Sequence, residues 1–390
     1  MSVTAPAGFV AAGLACGIKA SGAPDLALVA TDDGRPVAAA AVFTNNLAAA
    51  APVSVSRSHL AINGGRAAAV VISSGNANAA TGERGISDAE RICALAGEGL
   101  GVAPADILIA QTGLIGIPLP MNPIVAGLPR LVAARAAGPE AAVAAATAIM
   151  TTDVTRKEVL VEGPGFSVGG MAKGAAMLAP NMATMLAVLT TDAAVDPTAL
   201  KGALTGAVDA TFNRLTIDGC TSTNDTVVVL ASGRAGPPSD PDALRRALTE
   251  ACETLAGLMA ADAEGGSRVV HVVVTGAVSD DGAHRAARKV ADSNLVKCSV
   301  NGADPYWGRV VSELGSAGVA FDIARVVVAY GDTVVCRGGV AADHDEKAVA
   351  AHLAEPRVEI RCDLGLGDGR GAVLAADLGH GYIDENRTTS

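Results

Sequence analysis

Nearly continuous apolar runs that end at a glycine recur along this chain. Four of them are AAAVVISSG to Gly75, DILIAQTG to Gly113, DTVVVLASG to Gly233 and RVVHVVVTG to Gly276. Short runs rich in Val and Ile that end in a turn residue are typical of β-strands. Because their apolar positions do not alternate with polar ones, they are typical of strands buried on both faces. The pattern predicts buried strands in a layered fold.

Helix signals lie between these runs. Ser87 and Glu90 form a capping-box pattern ahead of RICALAGEGLG. Two later segments begin with an N-cap residue followed by a first-turn proline, Asp196-Pro197 and Asp240-Pro241. The second pair predicts a helix of about 20 residues. Strand-rich runs then follow a predicted helix at AHRAARKVADS, so the whole pattern predicts an α/β (α+β) fold with a soft boundary near residue 280.

The segment KGAAMLAPNMATMLAVLTTDA changes from small residues to an apolar run at Thr184. Pro180 lacks an amide donor and disfavours helix at Ala179, so a helix or turn through KGAAMLA is expected to stop there. The run TMLAVLTT predicts a short buried strand that begins near Thr184. On pattern alone, Thr184 is one more β-branched strand residue. If the bond before it were cut, however, it would carry both a hydroxyl nucleophile and an α-amine base with a pKa of about 8.

Composition narrows the class of protein. The 390 residues are 50% hydrophobic but only 2% aromatic, which suits interleaved strands and helices packed through Ala, Val, Leu and Ile. A net charge of -11 without a basic run argues against a nucleic-acid partner. The seven cysteines contain no C-x-x-C, which argues against a disulfide framework or a zinc site. Without a signal-peptide pattern or a long apolar span, we expect no membrane span and a cytoplasmic location.

The chain lacks the usual signs of a serine-histidine-aspartate site. Its serine segments SVSRS, ISSGN and SGRAG do not contain the G-x-S-x-G elbow. The six histidines are scattered and lie mostly beside charged, glycine or small residues. An N-terminal threonine would supply nucleophile and base from one residue, so acyl chemistry would not need such a set.

KGAAMLAPNMATMLAVLTTDA resembles the self-cleaving signature of the ornithine acetyltransferase family, also called bifunctional glutamate N-acetyltransferase, of arginine biosynthesis. The resemblance covers nearly the whole chain through AVFTNN, SGNANAATG, QTGLIGIPLP, IDGCTSTNDTV, DAEGGSR, NGADPYWGR and GYIDEN. It implies a layered helix-sheet-sheet-helix sandwich over residues 1–280 and a smaller C-terminal α/β lobe over 281–390. It also implies self-cleavage between Ala183 and Thr184, giving an α chain 1–183 and a β chain 184–390.

The family resemblance implies an acyltransferase. The expected reaction moves an acetyl group from N2-acetyl-L-ornithine to L-glutamate by a ping-pong mechanism through acetyl-Thr184, giving L-ornithine and N-acetyl-L-glutamate. No metal or other cofactor is expected, and acetyl-CoA stays open as a second acetyl donor. The two fragments are expected to stay together in an α2β2 heterotetramer.

The resemblance also assigns the parts of a catalytic site. Thr112 and Gly113 of QTGLIG are expected to form the oxyanion hole. Lys173 is expected to hold the substrate carboxylate and Glu264 the side-chain amine of ornithine. Taken without the family, Thr112 and Gly113 would be a strand-ending turn, and Lys173 and Glu264 would be solvated surface charges.

Further substrate contacts are expected at Thr151, at Asn386 and at a C-terminal hydroxyl residue. The chain ends RTTS, one residue shorter than the usual family ending. Ser390 is therefore the expected contact, with Thr389 as the alternative.

Two other functions stay open on the sequence. A self-cleaving aminopeptidase or amidohydrolase with an N-terminal nucleophile would use the same threonine but pass the acyl group to water. A non-catalytic small-molecule binding protein would keep Thr184 internal, since an α/β sandwich serves binding equally well.

Overall fold

The computed structural model describes residues 2–177, 185–240 and 242–387. Strands β1 to β9 are Phe9–Leu14, Leu26–Thr31, Val37–Phe43, Arg66–Ala67, Ala69–Asn76, Ile107–Leu114, Lys157–Gly163, Phe166–Lys173 and Leu186–Ala193. Strands β10 to β17 are Leu215–Thr216, Thr226–Gly236, Val269–Ala277, Val327–Tyr330, Thr333–Arg337, Val340–Ala341, Arg357–Asp363 and Gly369–Ala376. Helices α1 to α11 are Ala51–Ile62, Gly82–Leu100, Met121–Ala133, Pro139–Ala148, Pro197–Ala210, Ala243–Ala261, Asp280–Ala291, Asn294–Asn301, Trp307–Gly315, Glu346–Ala354 and His380–Glu385.

Two sheets stack face to face in the N-terminal part. The first has the strand order β1-β2-β5-β6 and the second β4-β3-β11-β9-β8-β7. Their facing sides share one buried apolar cluster that includes Ile72, Leu108, Val188 and Val228. Strand β9 pairs with β8 and with β11, so its backbone hydrogen bonds are satisfied on both edges.

Helices cover the outer faces of both sheets. Helices α1, α2 and α3 pack on the first sheet, where Ile92, Ile109 and Leu128 share a core cluster. Helices α5 and α6 pack on the second sheet, where Leu204 and Leu255 belong to another cluster. The predicted helix-sheet-sheet-helix sandwich is therefore confirmed, and its layers follow from strands that are apolar on both faces.

A third sheet forms the C-terminal lobe, with the strand order β10-β17-β12-β16-β13-β14-β15. It has its own core, which includes Val272, Val290, Val328 and Ile360. The smaller C-terminal α/β lobe is thus confirmed. Strand β12 lies before residue 280 but pairs within this sheet. The division at 280 stays a prediction.

Local capping signals had mixed outcomes. Asp196 caps α5 as predicted, because its Oδ1 accepts from the amides of Thr198 and Ala199 at 2.9 and 3.0 Å. The predicted start at Asp240-Pro241 was displaced: α6 begins at Ala243, and Pro241 lies outside the described residues. Asp240 instead accepts from the amide of Asp242 at 2.9 Å.

The capping box at Ser87 was wrong, because α2 begins at Gly82 and includes Ser87. Two tertiary contacts explain this. The Asn78 side-chain amide donates to the carbonyl of Gly85 at 2.9 Å, which fixes the first turn. Glu90 lies 3.0 Å from the Nε2 of His59 instead of reaching back to a cap.

The structure describes KGAAMLA only as far as Met177 and has no helix there. KGAAMLA was expected to form a helix or turn, but its first residue, Lys173, ends strand β8. Ala175 to Met177 then form a bend. No helix within the described ranges is long and apolar enough to cross a membrane.

Candidate active site

A cavity of about 290 Å³ gathers the predicted site residues that the structure describes. They come from distant parts of the chain and all line it: Thr112, Gly113, Thr151, Lys173, Glu264 and Asn386. The predicted nucleophile and cleavage site, Thr184 and Ala183, lie outside the described residues, as do Ser390 and Thr389. The chain enters that stretch at Met177, which also lines the cavity, and leaves it at Met185.

Thr112 and Gly113 lie near the end of strand β6 and not in a loop after it. Gly113 has a φ of +130°, and a Cβ there would lie 2.3 Å from the carbonyl carbon of Gly75 on the parallel strand β5. Only glycine fits this close approach of two backbones. The Oγ1 of Thr112 accepts from the Nζ of Lys173 at 3.2 Å, which ties the first sheet to the second.

Lys173 is 4% exposed, so the alternative of a solvated surface charge is wrong. Burial lowers the pKa of its ammonium, while the nearby carboxylates of Asp153, Asp225 and Glu264 favour the charged form. Within the described part of the chain, no carboxylate forms an ion pair with it. A buried ammonium that faces a cavity without an ion-pair partner is suited to bind a carboxylate ligand.

Asp153 organises the surroundings of Lys173, a role that the sequence analysis did not predict. Its Oδ2 accepts from the amide of Thr151 at 3.0 Å and its Oδ1 from the amide of Gly174 at 2.7 Å. Lys157 pairs with it at 2.7 Å and with Asp262 at 2.5 Å. Burial raises the pKa of Asp153, but the charges of Lys173 and Lys157 outweigh burial and lower it to about 2.

Substituting Asp153→Asn is expected to lower the free energy of unfolding by about 3 to 5 kcal/mol, because it breaks a buried ion pair and leaves Lys157 partly uncompensated. Urea unfolding at neutral pH measures this. Asp332→Asn is the control, since that carboxylate is 95% exposed and pairs with Arg361 at the surface, where ion pairs contribute little. Native stability in Asp153→Asn would show that Asp262 alone compensates Lys157.

Carboxylate side chains also line the cavity. The Oε2 of Glu264 accepts from the side-chain amide of Asn386 at 2.8 Å. Asp218 and Glu385 also line the cavity. Asp218 accepts from the amide of Met177 and, at 3.4 Å, from the hydroxyl of Tyr382. The cavity therefore offers both an ammonium and several carboxylates, the charges that complement a dipolar, amine-bearing ligand.

A second missed residue, Asp225, directly precedes strand β11 and contacts the residue before strand β9. It is 1% exposed, and its Oδ1 accepts from the amide of Met185 at 2.9 Å. Its Oδ2 is buried without a hydrogen-bond partner among the described residues. Burial raises the pKa of Asp225 well above its ordinary value. Asp225 belongs to the motif IDGCTSTNDTV, but only the pairing of β9 with β11 brings it next to Met185.

Asn224 joins the two sheets beside Asp225. Its side-chain amide donates to the carbonyl of Ala77 at 2.6 Å and to that of Gln111 at 2.9 Å. Gln111 directly precedes Thr112, so the second sheet holds the end of β6 in place. No group of His, Cys, Asp and Glu suited to a metal ion occurs in the ranges that the structure covers.

Comparison with known proteins gives a consistent result. The sequence model of the ArgJ family matches residues 10–388. The arginine biosynthesis bifunctional protein ArgJ of Mycolicibacterium paratuberculosis is 48% identical, over 100% of this chain and 96% of the relative. The protein of the same name from Thermobifida fusca is 43% identical over 100% of both chains.

A solved structure is also similar. It is the ornithine acetyltransferase of Mycobacterium tuberculosis complexed with ornithine, which is 40% identical. The match covers 46% of this chain and 94% of that chain, with a TM-score of 0.42.

Proposed function

Because this chain belongs to the ArgJ family, we propose that its cavity performs acetyl transfer through a threonine nucleophile at position 184. The chain is an acyltransferase of arginine biosynthesis that moves the acetyl group of N2-acetyl-L-ornithine to L-glutamate. The convergence of Thr112, Gly113, Lys173 and Glu264 on one cavity is the observation that carries the assignment of roles.

The nucleophile is made by self-cleavage between Ala183 and Thr184. The Thr184 hydroxyl attacks the carbonyl of Ala183, the C–N bond breaks as the amine takes up a proton, and water opens the resulting ester. This leaves a free α-amine on Thr184, which can then accept the proton of its own hydroxyl. The residue after Thr184 supports this proposal, because the amide of Met185 donates to the Oδ1 of Asp225 and is thereby held in place.

The first half-reaction transfers the acetyl group to the enzyme. The Thr184 hydroxyl oxygen attacks the acetyl carbonyl of N-acetylornithine, and its proton passes through the α-amine to the departing ornithine amine. The amide of Gly113 and the hydroxyl of Thr112 donate to the oxyanion. Lys173 pairs with the α-carboxylate, while Glu264, held by Asn386, attracts the side-chain ammonium.

The second half-reaction returns the enzyme to its starting state. The α-amine of glutamate attacks the acetyl ester, and its surplus proton passes to the departing Thr184 oxygen. The product is N-acetyl-L-glutamate. Because every step is a proton or acyl transfer, we propose that no cofactor takes part.

Several further assignments belong to the same proposal. The fragments 1–183 and 184–390 stay associated and form an α2β2 heterotetramer in the cytoplasm. Thr151 and Ser390 contact the substrate, with Thr389 in place of Ser390 if the shorter terminus shifts the contact. Acetyl-CoA is a second acetyl donor, in keeping with the word bifunctional in the relatives' name.

Mixing the purified protein with N-acetylornithine and no acceptor is expected to release ornithine and to leave one acetyl group on the 184–390 fragment. Intact-mass analysis and peptide mapping after acid quench measure this. Adding glutamate is expected to discharge the acetyl group as N-acetylglutamate. Discharge at the same rate without glutamate would instead identify a hydrolase, and an acetyl group on any other residue would overturn the proposal.

A further inference from the structure

A second cavity, of about 460 Å³, adjoins the active-site cavity. Asp218 and Tyr382 line both, so the two spaces meet at this pair. Helix α8 contributes Asn294, Lys297 and Asn301 to the second cavity. The proposed function does not use this space.

Lys297 is the notable residue of the second cavity. It is 3% exposed, and its Nζ donates to the backbone carbonyl of Ile217. Across the described ranges, no carboxylate forms an ion pair with it. An ammonium has three N–H donors, and among the described residues only one of them has an acceptor, which leaves donors for a ligand. Burial lowers the pKa of Lys297, while Asp292 and Asp218 favour its charged form.

The two amino-acid substrates present the enzyme with an electrostatic conflict. They share the α-amino acid group, but the side chain of ornithine is a cation and that of glutamate an anion. The described charges lining the first cavity are Lys173, Asp218, Glu264 and Glu385. With Lys173 occupied by the α-carboxylate, the second carboxylate of glutamate would face carboxylates alone. Like charges so placed cost several kcal/mol.

We propose that the side-chain carboxylate of glutamate turns away from Glu264 and Glu385 into the second cavity and pairs with Lys297. The charge of Lys297 also offsets that of Asp218 where the two cavities meet. The side-chain ammonium of ornithine stays beside Glu264 in the first cavity. One binding site for the α-amino acid group therefore has two side-chain subsites of opposite charge. This inference rests on the proposed function, because it assumes that both substrates enter the first cavity.

Lys297→Met tests the inference by separating the half-reactions. The variant is expected to acetylate itself and release ornithine at the native rate, while its KM for glutamate rises by about 10- to 100-fold, the loss expected for a charged hydrogen bond. Glutamine as an alternative acceptor sharpens the test. The native preference for glutamate over glutamine is expected to disappear in Lys297→Met and to be partly restored in Lys297→Arg.

Controls keep the result interpretable. Lys289→Met removes a half-exposed lysine of the neighbouring helix α7 and is expected to leave both half-reactions unchanged. Lys297→Gln keeps a donor for the Ile217 carbonyl, and it replaces the methionine variant if that variant does not fold. An unchanged preference for glutamate, or equal losses in both half-reactions, would overturn the inference and leave Lys297 as a structural anchor. Absence of acetyl-enzyme in the native protein would instead overturn the proposed function.

Discussion

Thr184→Ala is expected to leave the chain as a single 38.5 kDa species and to abolish acetyl transfer. The substitution removes the hydroxyl that we propose as the nucleophile of both reactions. Without cleavage there is also no α-amine to act as base. Loss of the nucleophilic serine of a serine protease, which also forms an acyl-enzyme, lowers kcat by about 10⁶-fold. Denaturing electrophoresis with intact-mass analysis measures the cleavage, and ornithine release measures the transfer.

Thr184→Ser is the matched control, because it keeps a hydroxyl and can still generate an N-terminal amine. It is expected to yield two fragments and to retain measurable transfer. In the native protein, the two fragment masses are expected to sum to that of the precursor plus one water. Native cleavage in Thr184→Ala, or a second fragment beginning at another residue, would show that Thr184 is not the nucleophile.

Thr112→Val is expected to lower kcat by about 10²- to 10³-fold with little change in KM, as loss of an oxyanion donor does. The Thr112 hydroxyl accepts a hydrogen bond from Lys173, so its own O–H can still donate a hydrogen bond to another group. No described residue accepts that proton, so the substrate oxygen can. Valine has nearly the same shape and removes the hydroxyl alone. Steady-state kinetics with N-acetylornithine and glutamate measure both constants.

Thr112→Ser keeps the hydroxyl and is expected to retain most of the activity. A circular dichroism spectrum and a urea midpoint compared with the native protein show whether Thr112→Val retains its fold. A large rise in KM with unchanged kcat would contradict the oxyanion role. It would indicate that Thr112 mainly holds Lys173 in position for the substrate carboxylate.

Features that depend on neighbours in the chain were predicted well. The apolar runs ending at Gly75 and Gly276 correspond to β5 and β12, because strand formation there follows local composition. Asp196 caps α5 because a cap needs only the next few amides. The prediction was wrong at Ser87 and Glu90, where a residue expected to cap a helix contacts a distant residue instead. Glu90 faces His59, which lies 31 residues away in the chain.

In the candidate site, too, the sequence identified residues but did not predict their tertiary contacts. Resemblance to the family picked out residues of the cavity wall, but it gave no reason why Lys173 should be buried. That reason is tertiary: β8 lies inside a sheet that packs against β6, so the end of β8 meets Thr112 across the sandwich. Asp153 and Asp262 were missed because an acidic residue in sequence looks like a surface charge. Their partner Lys157 is separated from Asp262 by 105 positions.

By itself, the sequence determined the family, the class of fold and the threonine on which the chemistry is proposed to depend, because these are written in local patterns and in matched segments. Only the tertiary structure decided which charges are buried, which are paired and which face a cavity. Burial and pairing depend on strands and helices brought together from distant parts of the chain. Lys173 and Lys297 are the same type of residue, yet packing places Lys173 in the active-site cavity and Lys297 in the adjoining cavity.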